Sequence, residues 1–197
     1  MIVTVASFKG GVGKSTTALH LAAYFQQKAP TLLVDGDLNR SALQWASQGK
    51  LPFKVVDEKQ AVKFAREFDH IVLDTPARPE PQDLKTIAEG CDLLVLPTSP
   101  DALSMAATIQ MIESLKSLTT TYKMLLALIP PQPSKAGKEA RISIEKAGLP
   151  IFKTGIRRLS VFQKAALEGV PVNQVKNDSY AKIAWDCYAK VGKEILA

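Results

Sequence analysis

Residues 9–16 read Lys9-Gly10-Gly11-Val12-Gly13-Lys14-Ser15-Thr16, directly behind the apolar run Ile2-Val3-Thr4-Val5-Ala6 and ahead of an amphipathic stretch that begins near Thr16. A strand that passes through glycines into a helix N-terminus lets backbone N–H groups close on phosphate oxygens, and the helix end adds partial positive charge. The spacing predicts a phosphate cradle formed by Gly10, Gly11, Val12, Gly13, Lys14, Ser15 and Thr16. In such a cradle Lys14 neutralises the β- and γ-phosphates as a point charge, and the Ser15 hydroxyl enters the coordination shell of Mg²⁺. The usual loop opens with glycine where this chain has Phe8, and a second lysine, Lys9, follows it. Two lysines this close repel each other unless a polyanion lies nearby.

Outward from the loop, apolar runs predict strands near 2–6, 31–35, 53–56, 70–74, 92–97, 123–129 and 150–154. Helical periodicity predicts helices near 15–27, 58–67, 82–90, 101–118 and 135–147. Alternating strands and helices imply an α/β fold with a mostly parallel sheet covered by helices on both faces, and runs such as Leu93-Leu94-Val95-Leu96 suit strands buried on both sides. Ligands on such sheets gather at the C-terminal strand ends, where Lys14, Asp37, Asp74 and Pro97 fall. The stretch from about 179 to 196 is amphipathic, with Ile183, Trp185, Tyr188, Val191 and Ile195 near one face. It is expected to dock on the sheet, with Gly192 weakening it.

Two further segments carry acids. Thr31-Leu32-Leu33-Val34 runs into Asp35-Gly36-Asp37, and His70-Ile71-Val72-Leu73 ends in Asp74-Thr75-Pro76. An apolar run closed by an aspartate is a Walker B arrangement, in which Asp74 accepts hydrogen bonds from Mg²⁺-bound water and helps hold the metal without stripping its hydration shell.

Loop, flanking elements and both acidic segments together resemble the ParA/MinD family of deviant Walker A ATPases, and the likeness, with Glu168-Gly169-Val170-Pro171-Val172 near its end, spans essentially the whole chain. The resemblance implies a P-loop NTPase fold, ATP and Mg²⁺ as ligands, and an ATP-dependent homodimer in which Lys9 reaches the nucleotide of the partner subunit. It further implies that Asp37 orients the attacking water, that Asp35 helps hold the metal environment, and that Thr75 and Pro76 belong to a second switch. Family members continue the first switch with Pro-Gln, where this chain has Leu38-Asn39. The family forms its adenine pocket after a late strand and from an Ile-Pro-Arg-like segment, which points to Pro130 and Ile156.

At 197 residues with 46% hydrophobic content, one domain spanning 1–197 is expected. Cys91 and Cys187 are far apart and have no Cys or His cluster around them, which favours reduced thiols. His20 and His70 read as ordinary structural residues. No signal-peptide pattern or membrane-length apolar run is present, so a cytoplasmic protein is expected.

Residues 1–119 carry 12 Lys and Arg against 13 Asp and Glu, whereas residues 120–197 carry 13 against 6, a net +7. A basic half on a nucleotide-binding protein points to a polyanionic surface, nucleic acid or anionic membrane. With the loop so near the N-terminus, no operator-reading domain is expected. Non-specific DNA binding at the nucleoid is expected, through Arg157, Arg158 and Lys164, joined by Lys135, Lys138 and Arg141. A ParB-like adaptor would link the switch to a plasmid, chromosomal locus or protein organelle. A MinD-like membrane ATPase is the rival reading. A nitrogenase-iron-protein-like role fits poorly because Cys187 lies in the terminal helix, and a dethiobiotin-synthetase-like ligase would need a substrate constellation the sequence does not show.

Overall fold

The computed structural model describes residues 1–197, the side chain of Pro81 excepted. Along the chain run β1 (Ile2–Ser7), α1 (Lys14–Gln26), β2 (Thr31–Asp35), α2 (Ser41–Ala46), β3 (Lys54–Asp57) and α3 (Glu58–Phe64). Then come β4 (His70–Ala77), α4 (Pro81–Glu89), β5 (Leu93–Thr98), α5 (Ala102–Leu115) and β6 (Tyr122–Leu126), followed by α6 (Ala136–Lys146), α7 (Val161–Glu168) and α8 (Tyr180–Ile195). The strands form one sheet in the order β3-β2-β4-β1-β5-β6, and every pairing is parallel.

Alternation along each strand sends side chains to opposite faces, and both faces are covered. Val5, Val95 and Leu125 pack into one core with α1, α7 and α8, while Leu94, Leu96 and Leu126 pack into a second with α4, α5 and α6. Helix α1 is buried nearly all round, from Thr17 to Phe25, because the sheet lies on one side of it and α8 on the other. The terminal helix is therefore docked, with Ala181, Ala184, Tyr188 and Val191 buried. Glu194 ties its end down, taking the Lys123 ammonium on one oxygen and the Lys153 backbone N–H, at 3.1 Å, on the other.

Gly192 has a role that helix propensity alone misses. A Cβ there would lie 2.2 Å from Tyr24 Cδ1, so the glycine lets α8 close onto α1. Gly192→Ala should gain up to about 1 kcal/mol of helix propensity and lose about 1–3 kcal/mol to overpacking. A net fall in the denaturant midpoint is expected, and an unchanged or raised midpoint would count against close packing here.

The expected strand at 150–154 is reduced to one isolated bridge, Ile151 with Met124, and a second bridge, Arg157 with Ile129, lies beyond that range. The ladder stops after the Phe152 N–H meets the Met124 carbonyl, because the next acceptor on β6, the Leu126 carbonyl, takes the N–H of Ile156 at 2.8 Å. The strand expected at 123–129 ends at Leu126: the Ala127 N–H makes the last bond to β5, at the Thr98 carbonyl, and Leu128 is then left-handed at φ 53°. Helices α2 and α7 were not expected. Each is short and buries only two side chains, Ala42 with Trp45 and Val161 with Ala165.

His20 is buried in this core, stacked on Tyr188 at 4.9 Å. Its Nδ1 lies 2.7 Å from the Thr16 carbonyl and so donates, leaving Nε2 to accept the Val172 N–H at 3.0 Å. Burial lowers its pKa from 6.5 to about 4, against a smaller upward pull from the Thr16 carbonyl. The unfolded chain therefore takes up this proton first as the pH falls. Between about pH 6.5 and 4 the protein should lose about 3 kcal/mol of stability through this group. Denaturant midpoints measured across that range should show the loss in the parent and a flatter profile in His20→Gln.

Candidate nucleotide site

The C-terminal ends of β1, β2 and β4 bring the loop and the acids together. Register pairs Val5 and Asp35 with Asp74, so the two acidic segments flank the loop by strand pairing alone. Gly11 and Gly13 stand at φ 80° and 88°, a conformation that only glycine adopts without strain, and Gly13 caps α1. Helix α1 starts at Lys14, which aims the free N–H groups of its first turn at the loop.

Lys14 Nζ lies 3.2 Å from Asp37 Oδ2, and both side chains are under 10% exposed. Asp37 Oδ1 accepts the Asn39 backbone N–H at 2.9 Å and its side-chain amide at 3.0 Å. Burial pushes the Asp37 carboxyl up, but the Asn39 N–H and Lys14 outweigh it and hold the group below its usual range. Asp35, expected to help hold the metal environment, also serves the backbone: its Oδ1 accepts the Asp37 N–H at 3.1 Å and its Oδ2 the Leu43 N–H at 2.9 Å, which folds the 36–43 loop. Gly36 keeps this loop against β4, where a Cβ would sit 3.1 Å from the Asp74 carbonyl oxygen.

Asp74 is fully buried, and neither carboxylate oxygen has a hydrogen-bond partner. Burial drives its pKa up to about 7, against smaller downward pulls from the nearby Ser15 hydroxyl and Lys14. A buried carboxylate without a donor is costly and calls for a cation or its bound water. The Ser15 hydroxyl beside it is the second hard-oxygen group a Mg²⁺ site needs. Beyond Asp74, Thr75 Oγ1 donates to the Val5 carbonyl at 3.0 Å, and Arg78 clamps the loop head through the Ser7 and Phe8 carbonyls.

A cavity of about 830 Å³ opens over Gly10, Gly11, Gly13, Lys14, Ser15, Thr16 and Asp37, while Val12, also expected in the cradle, is buried and does not line it. Its volume is in the range of a small-molecule site. Of the expected adenine contacts Ile156 lines it and Pro130 does not, because the chain turns away at Leu128. Ala127, Leu128, Leu159 and Phe162 take that wall, together with Gln44 and Trp45 of α2. The basic residues are divided. Arg157 and Arg158 are exposed at the cavity rim, and Lys164 Nζ donates to the Lys176 carbonyl at 2.9 Å. Lys135 and Lys138 are exposed, and Arg141 lies 3.5 Å from Glu145. Lys9 is absent from the cavity lining and lies against α5. Among the described residues no helix is long and apolar enough to cross a membrane.

A sequence profile of the CobQ/CobB/MinD/ParA nucleotide binding domain matches residues 3–172. The chain is 32% identical over 202 residues to maintenance of carboxysome distribution protein A of Gloeobacter kilaueensis, covering 98% of this chain and 93% of that one. Its fold is similar to that of apo McdA from Cyanothece, with a TM-score of 0.76 at 17% identity over 100% of this chain and 99% of the other. A Cyanothece McdA variant in complex with ATP gives a TM-score of 0.73 at 16% identity, over 99% and 95% of the two chains. A parallel-sheet P-loop fold that gathers a glycine loop and two acids at its strand ends, together with this match across most of its length, places the chain in the ParA/MinD family of nucleotide-binding ATPases.

Proposed function

We propose that the protein is a Mg²⁺-dependent ATPase that dimerises around ATP, binds DNA without regard to sequence in that state, and positions a cargo through an adaptor. The observation that carries the chemistry is the pair Lys14–Asp37 beside the donor-less Asp74. Lys14 and the loop amides bind the phosphates, Asp37 holds the attacking water for in-line displacement, and Ser15 with Asp74 holds the metal. Mg²⁺ supplies neutralisation of charge on the β- and γ-phosphates when bound. Similarity to a carboxysome-distribution protein supports a positioning role and makes a protein organelle a reasonable cargo class. The chain as a whole, residues 1–197, would act as one ATPase domain. ATP hydrolysis measured with and without Mg²⁺, alongside co-sedimentation with duplex DNA or anionic vesicles, tests the reading. Turnover without Mg²⁺, or ATP-dependent sedimentation with vesicles but not DNA, would overturn it. The docking of α8 through Glu194 favours DNA over membrane as the surface.

Arg157→Ala with Arg158→Ala should weaken DNA binding to all sequences alike, because phosphate contacts carry no base identity. Each lost phosphate contact lowers the log–log salt slope by about 1, so the pair in both subunits removes up to about 4. Because both arginines border the nucleotide cavity, ATP affinity is measured in parallel. An unchanged salt slope at full ATP loading would exclude these residues, leaving Lys135 and Lys138 as the next pair.

A further inference from the structure

Lys9, the residue that sets this loop apart, is held on its own subunit. Its Nζ lies 3.0 Å from Asp101 Oδ1 and 2.8 Å from Ser104 Oγ. Its backbone is fixed as well, since the Lys9 N–H donates to Ser7 Oγ at 3.0 Å and that hydroxyl lies 3.1 Å from the Lys9 carbonyl. Asp101 caps α5 by accepting the Ser104 N–H at 2.9 Å, while Ser99 and Ser104 hydroxyls lie 2.5 and 2.7 Å from its other oxygen. The Ser99 hydroxyl first, then the Ser104 contacts and Lys9, outweigh desolvation and hold this carboxyl well below the usual range. Asp101 is therefore a fixed anion, oriented by groups other than the lysine it binds.

We infer that Asp101, with Ser104, is a positioning residue that holds Lys9 in cis and thereby sets the protein concentration at which ATP drives dimerisation. The inference rests on the reading of Lys9 as a contact to the partner's nucleotide. An ammonium paired with a carboxylate and a hydroxyl on its own subunit has to leave both before it can meet phosphates across an interface. A partly exposed ion pair of this kind is worth about twofold to fivefold in an equilibrium. A two-fold dimer opens two of them, so the factors multiply to about 4- to 25-fold.

The test is the monomer–dimer midpoint with ATP and Mg²⁺, measured by sedimentation on the Asp37→Ala background so that ATP persists. Asp101→Asn keeps the helix cap and removes the charge, and Asp101→Ser does the same with a different side chain. Both should lower the midpoint about 4- to 25-fold and should leave the protein monomeric without nucleotide, a dependence that a merely structural change in α5 would not produce. If the midpoint is unmoved or rises in both variants while Lys9→Ala abolishes the dimer, the latch is wrong and the trans role stands. If Lys9→Ala dimerises like the parent, the trans role fails and the latch falls with it.

Discussion

Asp37→Ala is expected to bind ATP at least as tightly as the parent and to hydrolyse it at least about a hundredfold more slowly. A carboxylate that accepts or orients the proton of an attacking group contributes about 10²- to 10⁴-fold, and this one is held anionic and aimed by Asn39. Affinity should not suffer, because in the nucleotide-free protein Asp37 occupies the lysine that phosphate needs. Its removal leaves the Lys14 ammonium buried without a partner, which should cost the free variant up to about 3 kcal/mol. Phosphate restores the balance, so ATP should raise the Tm of the variant more than that of the parent. Single-turnover hydrolysis and thermal shifts with and without ATP check both halves. Parent-like turnover would reject the assignment of Asp37.

On that background, Lys9→Ala should abolish the ATP-dependent dimer and keep most of the nucleotide binding in each monomer. Lys14 and the loop amides serve the subunit's own phosphates, while a lysine acting across the interface contributes only after association. The C-terminal end of the sheet, which carries the site, also exposes two large apolar side chains, Leu38 at 83%, adjacent to Asp37, and Leu103 at 74%, two residues after Asp101. Paired surfaces would cover them, in keeping with an interface there. Sedimentation in saturating ATP and Mg²⁺ is the measurement, and a dimer of undiminished stability in the double variant would reject the role.

What could be read before the structure is set by how local each cause is. Gly11, Gly13, Lys14, Asp37 after β2 and Asp74 within β4 were legible because glycine at positive φ and an acid after an apolar run are decided by neighbouring residues. Lys9 and Lys14 were expected to need a polyanion nearby, and what was not foreseen is that each pairs with a carboxylate of its own chain, Asp101 and Asp37 respectively. Asp35 has the sequence signature of a site acid, yet its oxygens serve backbone donors within eight residues, and only coordinates distinguish the two uses. The apolar wall of the cavity was illegible because it is made of Ala127, Leu128, Leu159 and Phe162, side chains indistinguishable by type from core. The missing seventh strand turned on a local detour, in which the Leu126 carbonyl is met by the N–H of Ile156 and the in-register pairing begun by Phe152 is broken off.

The docking of α8 onto α1 has a consequence for biosynthesis. Helix α1, which carries the phosphate lysine, is translated well before its cover, since the Tyr188 hydroxyl 3.1 Å from Thr17 Oγ1 lies some 170 residues later. A contact of such separation forms late, since loop closure must precede its reward. Until Tyr188 and Val191 have been made, Leu21 and Phe25 sit beside an incomplete core. A nascent chain would therefore carry the whole glycine loop without a settled helix behind it, and competence to bind ATP would arrive only once α8 has been made and docked.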